Sequence, residues 1–210
     1  MLRAIIFVCL ILCFPLEKLQ AQSKSDVFDK TIPVKFLGID FSGAYLVAPK
    51  DTWQVDAVEA WMQSVNDLML QEPAKFRVAN AIGRTSVENH IEIANARNAL
   101  LNTEELLVFD NQNLNLLKEK DIALIINEYD FKGLSGIGVM FNVESFNKFT
   151  GFGNVWVTFI NLNTRQVLFT ELMQGRARGF GLRNYWAYTI FEIIKKMENG
   201  QFKVWEQKYR

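Results

Sequence analysis

Three stretches near the end of the chain alternate apolar and polar residues and are separated by tight polar turns, which constrains the fold more than any other feature. They are Ile137 to Phe146, Asn154 to Asn161 and Gln166 to Gln174, with turns around Phe149–Gly153 and Asn161–Arg165. A period of two with short, glycine- and asparagine-containing connections predicts a three-stranded antiparallel meander. Such a meander has an apolar face that helices must cover. Val55, Val58, Trp61, Met62, Val65, Leu68 and Met69 recur at three-and-four spacing. They predict an amphipathic helix, capped by Asp51-Thr52 and closed before Pro73. Its two tryptophans, Trp53 and Trp61, are expected in the core. Ile122, Ile125, Ile126 and Tyr129 mark a second helix over Lys118 to Tyr129, and Gly133, Gly136 and Gly138 mark its exit. A last helix, Leu182 to Met197, presents Trp186, Ile190, Ile193, Ile194 and Met197 on one face and ends at Asn199-Gly200.

The earlier part of the chain is less regular. Gln22 to Thr31 is polar and reads as a loose leader. Val34 to Phe41 is rich in β-branched and aromatic residues, predicting a strand that continues to Val47. Glu88 to Ala94 alternates around Ile91 and Ile93 and suits a strand, while Ala94 to Leu101 is equally compatible with helix. Asp110 to Asn115 reads as a polar loop. Phe202, Val204, Trp205 and Tyr209, beyond Gly200, either pack back on the domain or meet a partner. The fold expected for residues 22–210 is a single α+β domain: a mixed or largely antiparallel sheet with the meander at its C-terminal end and helices packed on it.

The first residues carry a different message. Arg3 precedes the apolar run Ala4 to Leu16, and Leu19-Gln20-Ala21 places a small residue at a cleavage position. That order is a secretory signal peptide over residues 1–21, leaving Gln22 first. The run is too short for a membrane anchor, which needs about 20 apolar residues. Cys9 and Cys13, the chain's two cysteines, follow Val8 and Leu12 rather than a small residue, which disfavours lipidation. The mature chain then has no cysteine to form a disulfide, and no Asn-x-Ser/Thr acceptor occurs. The expected address is the bacterial periplasm or the outside of the cell after secretion, with no stable membrane span after cleavage. Basic and acidic residues number 23 each, so no charge excess points to nucleic acid or an anionic membrane.

Catalytic signatures are absent. His90 is the one histidine, and neither Asn89 nor Glu92 beside it makes a Ser-His-Asp pattern. One histidine and no mature cysteine leave no metal-ligand spacing, and no cofactor is implied. Asp40, at the end of the first strand, Glu128 and Asp130 after the second helix, and Glu144 in the meander are the carboxylates considered for acid–base work. Their spacing brings no two of them together. One constellation has a stated mechanism. Arg176, Arg178 and Arg183 are interleaved with Gly175, Gly179 and Gly181 just before the last helix. Glycines let backbone N–H groups turn toward a ligand, and a helix N-terminus favours an anion. Glycine at a strand-to-helix connection is equally explained by geometry alone.

Val155 to Arg176, with its Asn161-Leu162-Asn163-Thr164 turn, resembles the paired strands of the curli secretion-channel and penicillin-binding-protein activator lipoprotein group. Those activators carry an acylated cysteine that this sequence lacks. Leu37-Gly38-Ile39-Asp40-Phe41-Ser42, Val143-Glu144-Ser145-Phe146-Asn147-Lys148 and Gly179-Phe180-Gly181-Leu182-Arg183-Asn184-Tyr185-Trp186 resemble a family of uncharacterised exported proteins of Gram-negative envelopes. This second likeness spans most of the mature chain and implies fold and compartment but no activity. The expected function is therefore a non-enzymatic, soluble periplasmic protein that binds an envelope protein. The alternative is a small anionic-ligand-binding protein or hydrolase using the loop 175–183.

Overall fold

The computed structural model describes residues 22–50, 52, 55–110 and 114–210. The signal-peptide reading of 1–21, the Asp51 cap, Trp53 and part of the 110–115 loop lie outside the described residues. The elements run β1 (Val34–Asp40), β2 (Tyr45–Val47), α1 (Val55–Gln71), α2 (Val78–Ala81), β3 (Glu88–Asn89), α3 (Glu92–Asn98), α4 (Thr103–Leu106), β4 (Leu107–Val108) and α5 (Glu119–Asn127). The meander follows as β5 (Ile137–Asn147), β6 (Phe152–Asn161) and β7 (Gln166–Arg176), and then come α6 (Leu182–Lys196) and α7 (Phe202–Tyr209).

The sheet corrects the expectation of a mixed or largely antiparallel arrangement. It is built on parallel strands and curls into a half-barrel. β1 runs parallel to β3 and β5, and β2 runs parallel to β4 and β5. Antiparallel pairing is confined to the hairpins that join β5 to β6 and β6 to β7. The expected single strand from Val34 to Val47 is broken in two. β1 pairs with the first half of β5 and β2 with its second half, so the two lie end to end along one side of β5.

The break is the turn from Phe41 to Ala44, closed by the Ala44 N–H donating to the Phe41 carbonyl at 3.0 Å, and β1 is already irregular before it. Gly38 takes a φ of +100°, a left-handed conformation that favours glycine, and β1 shifts register against β5 between Phe36 and Ile39. β3 stops pairing at Asn89, so the outer side of β1 beyond Phe36 has no strand neighbour. Two buried asparagines take that place. Asn66 from α1 accepts from the Ile39 N–H at 2.7 Å and donates to the Ile39 carbonyl at 2.9 Å. Asn98 from α3 donates to the same carbonyl and accepts from the Phe41 N–H, both at 2.9 Å. Side-chain amides thus complete a ladder that buried backbone groups require.

Helices cover both faces. Val58, Trp61, Met62, Val65, Leu68 and Met69 of α1, together with α6 and α7, pack on the face that includes Phe36, Phe141, Val155, Val157 and Phe159. Ile122 and Ile126 of α5 and Ile93 of α3 cover the other, against Leu37, Met140 and Ile160. Two further expectations change, and of the two alternatives for the aromatic tail the structure shows packing on the domain. The strand at Glu88 to Ala94 is only two residues long before α3 begins, and Ile93 is buried from that helix against Leu37 of the sheet. The leader is not loose: Val27 and Phe28 are buried, and the Arg84 guanidinium donates to the carbonyls of Val27, Asp29 and Ile32. The aromatic tail is helical after a kink at Gly200 (φ 132°) and packs back, with Trp205 buried and Tyr209 stacked on Phe169 at 4.4 Å.

Candidate functional site

Gly175, which opens the arginine loop, is there for packing. It pairs with Gly153 across β6 and β7, and α6 crosses above them at Thr189. A Cβ on Gly175 would run into the Thr189 carbonyl oxygen, and one on Gly153 would come within 2.8 Å of the Thr189 methyl. Gly175→Ala should therefore destabilise by about 1–3 kcal/mol, as overpacking does. A denaturation midpoint equal to wild type would show that the helix has room to move.

The three arginines lie at one end of the molecule, and all are exposed. Three of the loop's amides are taken by the protein itself. Arg176 N–H donates to the Glu192 carboxylate at 2.8 Å, Ala177 N–H to the Gly151 carbonyl at 2.8 Å and Arg178 N–H to the Tyr185 carbonyl at 3.2 Å. The Arg178 guanidinium lies 5.8 Å from the centre of the Tyr188 ring. Gly179 (φ +115°) and Gly181 (φ +77°) supply the left-handed geometry that turns the strand into α6. Those three amides are closed to an anion, which leaves the exposed arginine side chains and the first turn of α6. Phosphate or sulfate should therefore shift the melting temperature of wild type and of the Arg176→Ala/Arg178→Ala/Arg183→Ala variant alike, through general exclusion from the surface. A saturable shift lost in the variant would establish the anion seat.

Around that loop the sheet ends in a surface that sequence reading missed. The register sets Val108, Val47, Asn147, Phe152 and Arg176 in one row across β4, β2, β5, β6 and β7. Five strands in a row span about 19 Å. At this row or just past it lie all four phenylalanines that are exposed among the described residues: Phe109 (44%), Phe149 (52%), Phe152 (36%) and Phe180 (95%). The loops are tied together, since Lys148 N–H donates to the Val47 carbonyl at 2.7 Å and Ala177 N–H to Gly151. Lys148 Nζ sits 3.6 Å from the Tyr185 ring centre. From Ser145 to Thr170, and again from Leu172 to Phe191, the sequence has no aspartate or glutamate. The end therefore presents aromatic rings among Lys50, Lys148, Arg176, Arg178 and Arg183. Asp110 lies beyond the β4 end of the row, and the Glu192 carboxylate accepts from the Arg176 N–H. Alternation patterns hide this surface, because its phenylalanines come from three separate connections.

The carboxylates fall elsewhere. Asp40 is fully buried where β1 ends. Its Oδ1 accepts from the Ser42 hydroxyl at 2.5 Å and the Tyr129 hydroxyl at 2.6 Å, and its Oδ2 from the Asn142 amide at 2.8 Å. The Asn142 carbonyl accepts from Thr158 at 2.7 Å, so the 2.8 Å contact between Thr158 and Thr170 is donated by Thr170. A polar row thus crosses β7, β6, β5 and β1 and ends on Asp40. Burial first, then the negative charge and hydrogen bond of Asp40, hold the Tyr129 phenol well above its ordinary pKa, so it stays a donor. Arg97 connects Asp40 to Glu128: its Nε donates to Ser42 Oγ at 2.8 Å and it pairs with the Glu128 carboxylate. Asp130 lines the same cavity as Glu128.

Glu144 sits at a bulge in β5, its pKa raised by burial against a 3.3 Å hydrogen bond from the Trp156 indole. His90 lies beside Glu92, 3.0 Å from Nδ1, and its backbone N–H extends the β1–β3 ladder to the Phe36 carbonyl. Among the described residues no group of three metal-ligating side chains is formed, and no helix is long and apolar enough to cross a membrane. No protein-family model, curated protein or solved structure matches the chain.

Proposed function

We propose that this is a non-enzymatic, soluble protein of the periplasm that works by binding another envelope protein, and that it does so through the phenylalanine-rich end of its sheet. One observation carries the reading: every exposed phenylalanine among the described residues lies at that end. Exposed aromatics concentrated in one place mark an interaction surface, whereas single ones scattered over a monomer need no explanation. The arginines and Lys148 around them, two of them lying on tyrosine rings, are the residue types that anchor interfaces. They fit a partner whose rim is acidic and whose centre accepts apolar rings. Export is supported by the first 21 residues, and terminal sequencing of the cellular form should read Gln22 first.

A photo-crosslinking residue placed in turn at Phe109, Phe149 and Phe180 in the native cell tests the surface. The expected result is one and the same protein adduct from all three positions. It should be absent when the crosslinker is at Leu124 or Val204, which are also exposed. The adduct should disappear when Arg178→Glu and Arg183→Glu are added. Equal labelling from all five positions, or labelling of lipid instead of protein, would overturn the proposal.

A further inference from the structure

Arg97 is half-buried and is held in a way that a structural arginine does not require. Its Nε is fixed by Ser42, whose hydroxyl is fixed by the buried Asp40, and its guanidinium lies 5.4 Å from the centre of the Tyr129 ring. One edge and one face are therefore set from inside the protein. The remaining edge meets Glu128, whose side chain is 61% exposed against 26% for Arg97. That edge opens on a cavity of about 260 Å³, walled by Ile93, Ala96 and Leu100 on one side and by Glu128, Asp130 and Lys132 on the other. Leu100 is 84% exposed at its rim, and Lys132 holds a left-handed φ of 51° in the turn that follows Tyr129.

We propose that this cavity binds a small carboxylate carrying an apolar arm, with Arg97 as its anchor. The ligand carboxylate takes the guanidinium edge that Glu128 occupies in its absence, in the fork geometry that arginine and carboxylate share. The apolar arm lies on Ile93, Ala96 and Leu100. The volume lies just below that of ordinary ligand pockets, about 300–1,000 Å³, and so admits only a small molecule. Glu128 is then a competitor built into the site, and Ser42 and Asp40 are positioning residues that keep the guanidinium facing outward. The inference does not depend on the phenylalanine end.

The probe is benzoate, with benzamide as its uncharged counterpart. Benzoate should raise the melting temperature of the mature protein saturably, and benzamide at the same concentrations should not. Arg97→Gln should abolish the saturable shift. Glu128→Gln, at an exposed position that folding tolerates, should tighten benzoate about 2- to 5-fold, the range an exposed ion pair contributes. The site would be overturned by no saturable shift in either wild type or Glu128→Gln. A benzoate shift that persists in Arg97→Gln, or weaker binding in Glu128→Gln, would also overturn it.

Discussion

Replacing Trp186 with alanine should lower the free energy of unfolding by about 3–5 kcal/mol, the range for removing a buried aromatic. The indole is fully buried on α6, stacked on Phe146 of β5 with ring centres 4.7 Å apart and planes 3° from parallel. Phe146 in turn meets Phe41 at 6.0 Å and Trp61 of α1 at 6.2 Å, edge to face. One ring cluster thereby joins the end of β1, the middle of α1, β5 and the start of α6. Against the 5–15 kcal/mol that typically stabilise a domain, its loss is a large fraction. Urea denaturation should show a lower midpoint with an unchanged slope. Phe180→Ala is the control: at 95% exposure it should stay within about 0.5 kcal/mol of wild type. If the two variants had the same midpoint, the core assignment of Trp186 would be wrong.

Asn66→Leu should be comparably costly, for a different reason. Leucine fills nearly the same space, so little cavity is created, but the Ile39 N–H loses its acceptor and the Ile39 carbonyl loses one of two donors. The orphaned N–H costs about 1–3 kcal/mol and the lost carbonyl bond about 0.5–1.5 kcal/mol, which puts the variant about 1.5–4.5 kcal/mol below wild type. Hydrogen exchange separates this from a general loss of packing. In Asn66→Leu the Ile39 amide should lose protection while the Phe41 amide, held by Asn98, keeps it. Asn98→Leu should show the reverse. Simultaneous loss at both amides in either single variant would mean that the two asparagines do not substitute separately for a strand.

The chain announced its local structure where burial is periodic. The helix around Trp61, the helix around Ile122 and Ile126 and the strands of the meander each place apolar residues at the spacing of their own geometry, and that spacing is a local property. It gave no information about direction or neighbour. β1 pairs in parallel with β5 about a hundred residues later, and β2 does the same beside it, because both must bury two faces under helices that the local pattern does not locate. The irregular end of β1 is equally hidden, since it rests on Gly38 and on amides arriving from α1 and α3.

The candidate sites divide along the same line. The arginines of the 175–183 loop were visible because they are neighbours in sequence, but the direction of the intervening amides depends on Gly151, Tyr185 and Glu192. Asp40 is legible as a strand-end carboxylate, while Arg97 of α3 and Glu128 and Tyr129, just past α5, reach it and its neighbour Ser42 only in the folded chain. The phenylalanine surface and the Arg97 cavity exist only after the sheet has curled. Residues from separate connections become neighbours through strand register, and register is set by long-range burial that no single segment of the sequence carries.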